Sequence, residues 1–229
     1  MTAPLVRSPT VVMMCGLPAA GKTRTAARLH ARAGGALIRS CDVYVDLGIR
    51  LPYWVERTRG FTVNVHEYDR LRDRAYDELA RRLASELGRV DLVILDAVYG
   101  ERAKRNVIYA VCRSRGVDVI LLHCRCDDPA EVARRLERRR GREGTPEHEA
   151  SDPSIFRDIT RRWEDPHADA SDDGASPTIV TIDTLNEPPI VRGPEAASLI
   201  PLLREALHAD GPDGLLGQSS HRETAAEHR

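Results

Sequence analysis

Eight residues near the start, Gly16-Leu17-Pro18-Ala19-Ala20-Gly21-Lys22-Thr23, follow an apolar, β-branched run (TVVMMC, 10–15) and open a helical stretch, 22–33. The pattern G-x-x-x-x-G-K-T in the order strand, loop, helix admits few folds. Glycine lets the loop backbone adopt conformations that a side chain forbids, so it can wrap an anion closely. The loop N–H groups and the helix N-terminus then supply the positive potential that a polyphosphate requires. A strand feeding a helix in this way belongs to a βαβ unit, so the expectation is an α/β fold around a mostly parallel sheet.

The rest of the chain keeps the same alternation. Short apolar runs at 36–39, 91–95, 117–124 and 178–183 read as strands. Between and beyond them, helices are expected at 65–87, 101–115, 129–139, 155–163 and 195–209. In the first of these, Tyr68, Leu71, Ala75, Leu79 and Leu83 recur at three- and four-residue spacing. Asp128 and Pro129 form a helix start, and Gly116 fits the position just past a helix end. The stretches 46–64 and 140–153 break the pattern and are long enough to be functional loops. The expected organisation is one domain over 8–209, with a lid at about 134–153, a substrate region at about 44–66 and a disordered tail at 210–229.

In such sheets ligands sit beyond the carboxyl ends of the strands, so the residues after each strand are the candidates. The whole loop, Gly16, Leu17, Pro18, Ala19, Ala20, Gly21, Lys22 and Thr23, with Thr25 behind it, is expected to bind ATP. Lys22 is one of only two lysines, the other being Lys104, in a chain whose basic residues are otherwise arginine. A flexible ammonium suits the β and γ phosphates, and the Thr23 hydroxyl suits Mg²⁺. Asp42, three residues past the second strand, is placed to accept a proton from an attacking hydroxyl. Asp96 closes the third strand, where a carboxylate holds Mg²⁺ or contacts substrate. Arg135 and Arg139 share one helical face and are the candidates for stabilising the transferred charge. Tyr44, Tyr53, Trp54, Arg57 and His66 lie where aromatic and cationic groups would line a substrate pocket.

Other features carry less. Neither lysine stands in the Asn-Lys-x-Asp pattern by which a GTPase reads its base. The five cysteines are odd in number and three lie in apolar runs, which argues against a disulfide framework and for a reducing, cytoplasmic setting. The pair Cys124 and Cys126 has no second pair at zinc spacing, and His123 reads as a strand residue. His148, His167, His208, His221 and His228 read as exposed polar positions. A net charge of -1 gives no whole-chain grip on nucleic acid, and no apolar run reaches the length of a membrane span. The composition, rich in Arg, Ala, Gly and Pro, is that of a GC-rich, bacterial coding sequence.

Taken in order, GLPAAGKT, SCD at 40–42, VILDAVY at 93–99 with Arg102 and Arg105, DPAEVARRLERR at 128–139 and RRWEDP at 161–166 resemble the small P-loop kinases related to the kinase domain of phage-type polynucleotide kinase. Chloramphenicol phosphotransferase and zeta toxins are looser relatives. The resemblance covers residues 10–185 and implies a three-layer fold with five strands in the order 2-3-1-4-5 and a helical, Arg-rich lid. It also implies ATP- and Mg²⁺-dependent phosphoryl transfer to a hydroxyl, with Asp42 as base, Arg135 and Arg139 in the lid and Arg105 toward the substrate. Relatives often carry Arg three residues after the base, where this chain has Val45; Arg50 is the nearest substitute. The expected acceptor is a small molecule such as an antibiotic, nucleoside, sugar or metabolite. The alternatives are a kinase of 5′-hydroxyl polynucleotide ends and a non-catalytic nucleotide-binding regulator. No membrane partner is expected, and the oligomeric state stays open.

Overall fold

The computed structural model describes residues 9–49, 65–140, 153–169, 177–194 and 199–208. The opening strand β1 (Thr10–Cys15) is buried along its whole length because it lies at the centre of the sheet, covered on both faces. Val12 and Met14 point to one side, and Val11, Met13 and Cys15 to the other. This two-sided burial is why the run is continuously apolar rather than alternating.

Helix α1 (Lys22–Ala33) leaves the loop and packs on the first face. β2 (Ala36–Arg39), α2 (Ser40–Asp46), α3 (Val65–Glu86) and β3 (Leu92–Asp96) follow, then α4 (Arg102–Ser114) and β4 (Asp118–Arg125). The remaining elements are α5 (Pro129–Arg140), α6 (Pro153–Arg161), β5 (Thr178–Asp183), β6 (Ile190–Arg192) and α7 (Leu199–His208). The sheet order is β2-β3-β1-β4-β5-β6. The first five strands are parallel in the expected order, and β6 adds an antiparallel edge.

Two apolar layers hold this sheet. On one face α1 and α7 bring Leu29, Leu203 and Leu207 against Ile94, Leu122 and Val180. On the other, α3 and α4 bring Leu79, Leu83 and Ile108 against Val93, Leu95 and Leu121. Each such side chain removed from water contributes about 1.5–3 kcal/mol.

The expected five-strand sheet is therefore corrected to six. β6 is three residues long with only Val191 turned inward, too short for a recognisable alternation. Residues 40–45, to which the sequence assigned no element, belong to helix α2, which begins directly after β2 at Ser40. The last helix is described over Leu199–His208, and residues 195–198, where it was expected to begin, lie outside the described residues. No described helix is long and apolar enough to cross a membrane. The expected tail and most of the loops 46–64 and 140–153 lie outside the described residues, as do the domain limits at 8 and 209.

Candidate active site

At the carboxyl end of β1 the chain turns through Gly16 into the loop. A Cβ on Gly16 would lie 2.4 Å from the Cys124 carbonyl oxygen, so the loop can sit on β4 only without a side chain there. Gly21 caps α1 at φ 85°, and a Cβ on it would meet the Thr184 methyl at 2.9 Å. Both glycines thus let the loop lie flat on neighbouring strands. Gly21 also needs the left-handed conformation that costs other residues about 1–2 kcal/mol.

Lys22 is buried, and its Nζ donates to the carbonyl oxygens of Gly16 and Leu17, each at 2.8 Å. Burial lowers its pKa to about 8, with the Asp96 charge opposing and the Arg139 charge adding to the shift. Asp96 ends β3 in the interior, and burial raises its pKa. The Lys22 charge, a hydrogen bond from the Thr23 hydroxyl, and the charges of Arg39 and Arg139 all pull the other way. Lys22, Thr23 and Asp96 are thus brought together as expected. A hydroxyl and a carboxylate, both hard oxygen donors beside a phosphate-binding loop, fit Mg²⁺.

Asp42 sits in the first turn of α2 and is about half exposed. Arg39, which sequence reasoning passed over, joins it to Asp96. Its guanidinium lies 3.8 Å from Asp42 Oδ1 and 3.9 Å from Asp96 Oδ2. The signal was present, since Arg39 ends β2 three residues before Asp42.

The two lid arginines separate. Arg135 donates to Glu131 at 2.7 Å, to the Ala19 carbonyl at 3.1 Å, and to Thr184 Oγ1 and O at 2.9 and 2.6 Å. The Thr184 hydroxyl in turn has the Arg125 and Ala20 carbonyl oxygens at 3.0 and 3.2 Å as acceptors for its one proton. Arg135 is therefore a strap from α5 across the back of the loop, because its N–H groups are taken up by neighbouring oxygens. Arg139 is the one whose charge acts on both Lys22 and Asp96.

Thr25 is buried and hydrogen-bonds the Cys124 thiol, so it ties α1 to β4 rather than facing a ligand. Arg105 is corrected likewise. It is fully buried, with two bonds to Asp169 at 2.5 and 2.7 Å and one to the Tyr99 carbonyl at 3.0 Å. It lies on the α4 face shared with Ile108 and Cys112, a spacing that marks it as interior. Tyr44 packs against the core layer of α3. Arg50, Tyr53, Trp54 and Arg57, and the His66 side chain, lie outside what is described.

Two cavities flank the loop. One of about 340 Å³ lies between the start of α1, α5 and the β5–β6 connection, with Arg28, Arg138 and Asn186 on its wall. The other, about 890 Å³, opens beside Leu17 and Pro18 and is bounded by Leu136, Phe156, Trp163 and His123. Burial lowers the His123 pKa to about 4, helped by the charges of His167 and Arg125.

A family model described as an AAA domain matches residues 11–163. No curated protein gives a significant sequence match. Among solved structures, a gluconokinase from Sinorhizobium meliloti 1021 is 18% identical with a TM-score of 0.52, covering 88% of this chain and 91% of its own. A sugar kinase from Janibacter sp. HTCC2649 is 18% identical with a TM-score of 0.51, covering 77% and 85%. Chaetomium thermophilum Kti12, solved in complex with ADP-AlF3, is 19% identical with a TM-score of 0.55, covering 86% and 95%. At these identities the likeness is one of fold.

Proposed function

The chain belongs to the AAA domain family, and from that premise we propose that it is an ATP-dependent kinase acting on a hydroxyl of a small molecule. The observation that carries this reading is the single guanidinium of Arg39, 3.8 Å from Asp42 and 3.9 Å from Asp96, with Asp96 also interacting with Lys22 and Thr23. A nucleotide-binding module has no need of a half-exposed carboxylate that shares one guanidinium with the strand-end aspartate.

In this reading the loop N–H groups and Lys22 hold the β and γ phosphates of ATP. Asp42 accepts the proton of the acceptor hydroxyl as its oxygen attacks the γ phosphorus. The bond from that phosphorus to the β–γ bridging oxygen breaks, and ADP departs with the bridging oxygen. Arg139 faces the charge that develops on the transferred group. Thr23 and Asp96 would hold Mg²⁺, which when bound supplies positive charge between the phosphates. Beside Leu17 and Pro18 of the loop, the cavity bounded by Phe156 and Trp163 matches the size of small-molecule pockets, roughly 300–1,000 Å³. The gluconokinase and sugar kinase among the similar folds favour a small acceptor.

Transfer from γ-labelled ATP to nucleosides, sugars, aminoglycosides and 5′-hydroxyl oligonucleotides tests this. Label should reach a small-molecule acceptor, and Asp42→Asn should cut the rate by roughly 10²–10⁴-fold with ATP binding intact. An unchanged rate in that variant removes Asp42 as the base, and label entering only oligonucleotides replaces the small-molecule acceptor.

A further inference from the structure

On the wall of the larger cavity, three side chains outside the phosphate site converge. His123 comes from the end of the buried central strand β4; Asp165 and His167 come from the short 3-10 turn that follows α6. One ligand-type atom from each, His123, Asp165 and His167, lies within 4.8 Å of the others. His123 Nδ1 and His167 Nε2 are 3.3 Å apart, close to the edge of a tetrahedron whose metal–nitrogen bonds are about 2.0–2.1 Å.

The set is held in place before any ion arrives. The His123 ring stacks on Trp163, with centroids 5.7 Å apart and planes inclined by 26°. Asp165 caps the turn, its Oδ1 accepting from the His167 backbone N–H at 3.0 Å. Thr181 Oγ1 stands 3.4 Å from His167 Nε2, on β5 next to β4. Two imidazoles and a carboxylate fixed by a strand and a turn are the donors of three-ligand sites that keep a position open.

We propose that His123, Asp165 and His167 bind one divalent transition-metal ion of the Zn²⁺ type, with its open position toward the cavity beside Leu17 and Pro18. The site is separate from Thr23 and Asp96, whose all-oxygen donors suit Mg²⁺. It stands whether or not the chain is a kinase.

Tag-free, chelator-stripped full chain, kept reduced, is titrated with Zn²⁺ against a competing chromophoric chelator. The same titration is run on His167→Ala and Asp165→Asn, both at exposed positions. One equivalent should bind, and each variant should weaken it by at least about tenfold with an unchanged melting temperature. Co²⁺ in place of Zn²⁺ should show ligand-field bands without a thiolate charge-transfer band. The proposal is overturned if no equivalent binds or if both variants hold Zn²⁺ as tightly as the native chain. It also falls if Co²⁺ reports thiolate ligation, which would move the ion to the cysteines.

Discussion

Arg39 and Asp96 are register partners on neighbouring parallel strands, and their side chains meet at 3.9 Å just where both strands end. The same guanidinium lies 3.8 Å from Asp42, so one cation stands within ion-pair distance of both carboxylates. Arg39→Met should lower turnover roughly 10²-fold through misplacement of these groups while ATP binding changes little. Arg39 also helps keep Asp96 ionised against its burial, so the acidic limb of the pH–rate profile should move to higher pH. Steady-state kinetics across pH read both effects.

Lys22 gives a pH signature in stability. Its pKa falls from 10.5 when exposed to about 8 when folded, so between those values the unfolded chain binds more protons. Stability from this group therefore rises with pH across that window. Below it, the buried charge is a full cost. Lys22→Met should be more stable than the native chain near neutrality, and the difference should shrink as pH rises through 8 toward 10.5. The buried thiols of Cys15, Cys112 and Cys124, each pushed up to about 12, titrate in the opposite sense but are present in both proteins. Melting temperatures of the pair, without nucleotide, read the difference. The same variant should transfer no phosphoryl group.

The Arg105–Asp169 pair anchors the segment after α6 to α4. Asp169 also accepts from Arg102 at 3.1 Å and from the Tyr109 hydroxyl at 3.1 Å. Asp169→Ala leaves the fully buried Arg105 without its carboxylate and should cost about 3–5 kcal/mol in urea unfolding. Replacing both partners, Arg105→Met with Asp169→Leu, should cost less than Asp169→Ala alone, because no unpaired charge then remains inside.

Gly21→Ala tests the loop itself. Alanine must take a left-handed conformation and press its methyl on Thr184, which is held by a bond from Arg135 and by its own backbone N–H bond to Arg125 O. A loss of about 1–2 kcal/mol in stability is expected from conformation alone. Fluorescent ATP-analogue binding should fall with it, since the same shift moves the N–H groups at the start of α1.

The elements legible in the sequence were those with a strong local pattern. The strand at 10–15 and the helix at 22–33 appear with the same bounds, because one is buried on both faces and the other begins at a glycine cap. Helix α2 was not legible: its seven residues hold Val43, Tyr44 and Val45 in one consecutive run, too short to separate periods of 2 and 3.6. At the site, the sequence already set Lys22, Thr23 and Asp96 together, because a local motif and a strand end coincide there. The partners that hold Arg135 and Arg105 were not legible, because Thr184 and Asp169 lie 49 and 64 residues away. His123, Asp165 and His167 stayed hidden for the same reason: a β-strand and a distant turn supply one cluster.

The Lys22 ammonium already has two backbone oxygens as neighbours within its own turn. An arriving polyphosphate must therefore displace an internal competitor before it gains that cation. A weak, singly charged anion is disfavoured in such an exchange, whereas a triphosphate offering several oxygens at once completes it. Self-occupation of this kind acts as a filter on the charge of what the loop admits.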